Sequence, residues 1–108
     1  MRAIVLAVVL AGPVSAQDWT PMDGAKIQTA LEDRTLYYEG AEQEFYSSGQ
    51  TSYTAGRPSL GSWAVRGDRY CSQWPPNDQW ECYDMEAADG AVRFLDAYGN
   101  VTEGRYEK

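Results

Sequence analysis

Arg69-Tyr70-Cys71-Ser72-Gln73-Trp74-Pro75-Pro76-Asn77-Asp78-Gln79-Trp80-Glu81-Cys82-Tyr83-Asp84 carries both cysteines of the chain and two of its four tryptophans. Pro-Pro-Asn-Asp at its centre favours a turn. The flanks, rich in Tyr, Cys and Trp, favour strands. With the turn centred near Pro76-Asn77, Cys71 and Cys82 fall opposite each other on two antiparallel strands. Directly opposed residues have Cβ atoms about 4.5–5.5 Å apart, near enough for a disulfide after a small local adjustment. In the chain-entropy description such a bridge stabilises by about 3 kcal/mol. That is a sizeable share of the ~5–10 kcal/mol expected for a domain of this size. The stretch therefore reads as a staple across a hairpin.

Two other uses of the cysteines fit less well. A zinc site needs four ligands, and the chain has two thiols and no histidine. A thioredoxin-like redox pair has two residues between its cysteines, far fewer than separate Cys71 from Cys82. The start of the chain favours oxidation. Met1-Arg2 is followed by the apolar run Ala3 to Ala11, the breaker Gly12-Pro13, and Val14-Ser15-Ala16 before Gln17. That order is the pattern of a secretory signal peptide over residues 1–16. It places residues 17–108, as a single domain, in the periplasm or outside the cell, where cysteines pair. The apolar run is far shorter than the ~20 residues that span a bilayer, so no membrane insertion is expected after cleavage.

Outward from the cysteine pair the punctuation is regular. Thr35 to Glu39, Gln43 to Ser47, Thr51 to Ala55, Gly61 to Arg66, Arg69 to Trp74, Trp80 to Glu86, Ala91 to Ala97 and Val101 to Tyr106 are short β-prone runs separated by turn residues. They predict an antiparallel meander of about seven or eight strands. Connections this short cannot make parallel crossovers. Upstream, Asp18 to Asp23 reads as an extended lead-in. Asp23 is a candidate N-cap for a helix over Gly24 to Arg34, about three turns long, with Ile27, Ala30 and Leu31 on one face. The fold class is mainly β, a small barrel or curled sheet with one N-terminal helix and one disulfide. Gly49, Gly56 and Gly61 read as turn glycines.

The chain is acidic, with a net charge of −7. Removing Arg2 with the leader leaves eight basic residues against 16 acidic ones. Such a balance disfavours nucleic acid and anionic membranes as partners and leaves a basic protein or a small ligand. With no histidine, Ser-His and Cys-His nucleophile arrangements are excluded. No phosphate-binding or dinucleotide glycine motif appears, and no cofactor is expected. Asp84 to Gly90 lacks the oxygen spacing and closing Glu of a calcium loop, and reads as a solvated acidic face. Asn100-Val101-Thr102 matches a glycosylation acceptor, idle in a bacterial export context.

Four tryptophans, eight tyrosines and two phenylalanines make a heavy aromatic load. Trp63, Trp80 and Phe94 are expected to face inward, and Trp74 to pack over the cysteine loop. Tyr37, Tyr46, Tyr53 and Trp74 are the candidate aromatic ligand surface, suited to a sugar, peptide or flat ligand.

Gly61, Trp63, Tyr70, Cys71, Trp80, Cys82, Tyr83 and Phe94 resemble a pattern of small exported proteins of Gram-negative bacteria. There a G-x-W strand leads to a Y-C strand and a C-Y strand follows a short loop; the match spans about Tyr37 to Phe94. The resemblance implies a periplasmic, β-rich domain and supplies no activity and no site residues. The expected function is a non-catalytic interaction or ligand-binding module. The alternatives are an inhibitor of a basic secreted enzyme such as a lysozyme, and a glycan-acting enzyme using paired carboxylates.

Overall fold

The computed structural model describes residues 18–108; the expected signal peptide lies outside the described residues. Nine strands and one helix follow in the order β1 (Thr20–Pro21), α1 (Gly24–Leu31), β2 (Arg34–Tyr38), β3 (Ala41–Phe45), β4 (Gln50–Ala55), β5 (Arg57–Arg66), β6 (Arg69–Gln73), β7 (Glu81–Ala88), β8 (Ala91–Leu95) and β9 (Val101–Arg105). From β2 to β9 each strand pairs antiparallel with the next. Tyr37 of β2 pairs with Arg105 of β9, and the ring closes. The meander is therefore a closed up-and-down barrel, the arrangement that removes exposed sheet edges.

Strand β7 is the joint of the ring. Its first half pairs with β6 and its second half with β8. The lead-in, expected to be merely extended, forms β1 and takes the β6 side of β7 once β6 has ended, through Thr20↔Ala87 and Pro21↔Glu86. The Arg93 guanidinium ties the two together. It bonds Glu86 and lies 4.5 Å from the centre of the Trp19 ring.

Cys71 and Cys82 are directly opposed across β6 and β7 and form a disulfide, with Cα atoms 4.0 Å apart. The register read from the Pro-Pro-Asn-Asp turn is the register observed. Tyr70 and Ser72 alternate with Cys71, so they face the lumen and the bridge lies outside, beside Ala64.

The helix is shorter than the sequence suggests. Asp23 caps it by accepting from the Lys26 N–H, and Asp68 accepts from the Gly24 N–H. Both carboxylates suit the positive end of the helix dipole. At the other end Glu32 is extended and Asp33 takes φ 60°, which lets its N–H donate to the Phe45 carbonyl. That turn delivers the chain straight into β2 and ends the helix before Arg34. Ile27 and Leu31 are fully buried and stop the lower end of the barrel. The Tyr106 hydroxyl donates to the Ala30 carbonyl and fixes the end of the ring to the stopper.

Alternation sets the lumen. Leu36, Phe45, Trp63, Met85, Val92 and Phe94 point inward above the helix and form the core with Ile27 and Leu31. Phe45 meets Trp63 and Tyr70 edge-on at 5.7 and 5.9 Å, and Tyr70 meets Phe94 at 5.1 Å. Such contacts add to the area each ring buries. Trp63 and Phe94 thus face inward as expected. Trp80 does not. It precedes β7 and stacks under the Arg66 guanidinium at 4.3 Å.

The staple gives the first test. Reducing the Cys71–Cys82 bond, or replacing both residues by Ala, is expected to lower unfolding stability by about 3 kcal/mol. Denaturant unfolding of the oxidised and reduced protein measures it, and coincident transitions would show that the bridge carries no load.

Candidate functional site

The upper end of the barrel is open. Around its rim stand the β2–β3 turn at Glu39-Gly40, the β4–β5 turn at Gly56, the loop over residues 74–80 and the β8–β9 turn over residues 96–100. Among the inward positions near this rim some are small. Ala41 and Ser59 occupy places where β3 and β5 face the lumen, as shown by their pairing with Tyr38 and Tyr53. Eight strands leave an interior just wide enough for side chains to fill, so small residues leave space. The resulting concavity has a volume of about 1570 Å³. It continues over the outside of the β2–β9 seam, where Tyr37, Glu103, Arg105 and Lys108 line it.

Read as a turn glycine, Gly61 lies instead inside β5, opposite Thr51. A Cβ there would stand 2.6 Å from the Trp74 ring and 2.6 Å from the Gln73 carbonyl oxygen. Its bare Cα is what lets the indole fold against the wall. Trp74 thus lines the mouth rather than only covering its loop. Its Nε1–H donates to Ser72, and its ring meets Tyr53 at 6.2 Å and 77°. Gly104 does the same service for Tyr38, whose ring would be 2.9 Å from an added Cβ.

The floor of the cavity is a neutral hydrogen-bond network around Gln43, which is only 5% exposed. The Tyr38 hydroxyl donates to Gln43 Oε1 at 2.7 Å. Gln43 Nε2 donates to Thr51 Oγ1 at 3.0 Å and to the Tyr70 hydroxyl at 3.3 Å. The Thr51 hydroxyl in turn donates to the Glu44 carbonyl oxygen. Both donors of the buried amide are satisfied, as burial demands. The Tyr38 oxygen and the second lone pair of Gln43 Oε1 retain capacity to accept from a ligand.

The walls are aromatic. Tyr38 stands 5.9 Å from Tyr53 and 6.3 Å from Phe94; Tyr83 stands 5.9 Å from Tyr70 and 6.2 Å from Phe94. Burial raises the Tyr38 phenol far above its ordinary range, reinforced by the neighbouring Tyr70 and Tyr53. Burial likewise pushes Tyr70 up to about 12, against the pull of its contacts with Ser72 and Gln43. Tyr83 is raised by burial first and then by Glu81, to whose carboxylate its hydroxyl donates. On the far rim the Asp96 carboxylate accepts from Asn100 and the Tyr98 N–H, which lowers its pKa and pins the turn.

Of the four aromatics expected to form a ligand surface, the structure brings Tyr53 and Trp74 together at the mouth. Tyr37 lies on the outer wall beneath Lys108 Nζ, 5.4 Å from its ring centre. Tyr46 is not among the lining residues. Its hydroxyl bonds Glu44 and its carbonyl accepts from Trp63 Nε1. The adjacent pair Tyr37-Tyr38 was split by strand parity, and the inward member is Tyr38. Gln43, Tyr70, Tyr83 and Phe94 are also among the lining residues. One signal for Gln43 was available, since Ala41-Glu42-Gln43-Glu44-Phe45 sets a polar residue on the same face as Ala and Phe. In the acidic run after Cys82, Asp84 and Asp89 are exposed, Asp84 in a solvated pair with Arg69, while Glu86 pairs part-buried with Arg93.

No family model, curated protein or solved structure matches the chain.

The buried phenols define a pH limit. A phenol whose pKa is raised by folding stabilises the fold fully below pH 10, and that stabilisation is lost as pH rises toward the folded value. For Tyr70 the window runs from 10 to about 12, a loss of about 2–3 kcal/mol. Tyr70→Phe should flatten the alkaline fall while costing about 1 kcal/mol at pH 7 for the lost hydrogen bond. Denaturation midpoints measured from pH 8 to 12 check it; an alkaline fall of equal size in both proteins refutes the assignment.

Proposed function

We propose that the chain is a non-catalytic ligand-binding module that works in an oxidising, extracytoplasmic compartment. The observation that carries this reading is the unfilled upper half of the lumen. The lower half is closed by α1 and packed with apolar side chains. The upper half combines small inward residues, aromatic walls and a satisfied neutral floor. Apolar walls with a few placed hydrogen-bonding groups are the usual constitution of a small-molecule site. The Cys71–Cys82 bridge suits an exported protein. Among the described residues no helix is long and apolar enough to cross a membrane.

The floor also favours binding over catalysis. Its groups are an amide, phenols and hydroxyls, and two of the phenols are held neutral by burial. A glycan hydrolase needs two carboxyl groups facing each other across the substrate. Here the carboxylates among the lining residues, Glu39, Glu42, Glu103 and Glu107, belong to the rim and outer wall.

The test is uptake of the uncharged probe N-phenyl-1-naphthylamine, whose emission rises in apolar surroundings. A saturable rise with one site per chain is expected, weakened about tenfold by Trp74→Ser, which corresponds to loss of one aromatic wall contact. Emission that climbs without saturation, or is indifferent to Trp74, contradicts a lumen site.

A further inference from the structure

The chemistry of the lining narrows the ligand class. Tyr38, Tyr53 and Trp74 form a corner of three rings, with successive centroids 5.9 and 6.2 Å apart and the last two planes at 77°. A cation within about 6 Å of a ring centre is attracted by the ring's negative face. Two ring faces set near a right angle address one guest from two sides. The phenols here are also enriched in electrons. Tyr38 donates its proton to Gln43 Oε1 and Tyr83 donates to the Glu81 carboxylate; a hydroxyl that donates becomes polarised toward the phenolate, and its ring with it.

The chain's own cations leave these rings free. Arg34, Arg66, Arg93 and Lys108 cover Tyr106, Trp80, Trp19 and Tyr37 in turn. Among the described residues none covers Tyr38, Tyr53, Trp74 or Tyr83. On the outer wall of the seam Arg105 is bonded to Glu103. Glu39 at the rim and Glu42 and Glu107 on the outer wall line the same concavity and make no ion pair among the described residues. A net charge of −7 sets the surrounding field, and a cleft of one sign concentrates ions of the other.

We propose that the mouth of the lumen binds an organic cation carrying a methylated ammonium head group, held in the Tyr38–Tyr53–Trp74 corner. This rests on the reading of the lumen as a ligand site. An ammonium with N–H groups would need acceptors where the corner offers ring faces, and it would lose its hydration uncompensated. A methylated head brings no N–H donors and presents apolar methyl groups to the rings. A hydroxyl elsewhere on the ligand can donate to the spare lone pairs of Tyr38 and Gln43.

Choline and its uncharged isostere 3,3-dimethylbutan-1-ol separate charge from shape. In calorimetric titration of the oxidised protein, choline is expected to bind at least about tenfold more tightly than the alcohol. Its affinity should fall as salt is raised. It should also fall about tenfold in Trp74→Leu and in Tyr53→Leu but survive Tyr53→Phe, with the disulfide intact in each. If the alcohol binds as well as choline, or choline fails to bind a protein that takes up the naphthylamine probe, the cation assignment is wrong and the ligand-site reading stands. If neither choline nor the probe binds, both fall.

Discussion

Closure of the strand ring is the constraint on which the rest of the molecule depends. A meander of eight strands has two edges unless its first and last members meet. Here they meet sparingly, through the single pair Tyr37↔Arg105. Side chains supply what the backbone ladder does not. Gly104 lies against Tyr38 and Leu36 with no room for a Cβ, and Tyr106 reaches across to the helix. Two strands before the seam, β7 is held on both sides, by β6 with its disulfide and β1, and by β8. The covalent clasp and the sparse seam are thus complementary. One joint of the ring is tied firmly, and another is closed by shape.

Once the ring is closed, alternation turns every second residue into a lumen residue, and the sequence then grades the lumen from bottom to top. Ile27 and Leu31 seal one end. A layer of Leu36, Phe45, Trp63, Met85 and Val92 fills the space above them. Gln43 sits at the boundary, buried and satisfied by Tyr38, Thr51 and Tyr70. Above it Ala41 and Ser59 leave the barrel unfilled, and Gly61 makes room for the Trp74 indole. A buried polar network costs stability relative to an apolar core unless every member is paired. Its position at the base of an unfilled cavity, rather than at the centre of a filled core, is what connects the architecture to binding.

Much of this was legible in the residues. The Cys71–Cys82 pairing followed from turn chemistry and strand period, and the succession of β-prone runs gave the meander. Asp23 and the Ile27–Leu31 spacing gave the helix, although Asp33 in the left-handed region ended it early. What was not legible depended on contacts distant in sequence. Closure needs β2 to find β9 across the whole chain. The inward choice of Tyr38 over Tyr37 follows from which face of β2 meets the core, settled when Leu36 packs there. Gly61 looked like punctuation because its neighbours do, yet its role is set by the Trp74 indole. Trp80 looked like core, but the loop before β7 releases it to Arg66.

Closure can be measured directly by through-space proton contacts in solution. The account predicts cross-peaks linking Tyr37 to Arg105 and the Tyr38 ring to Gly104, with the paired amides of β2 and β9 slow to exchange with solvent. Absence of those cross-peaks, with β2 amides exchanging as freely as an open sheet edge, would contradict it.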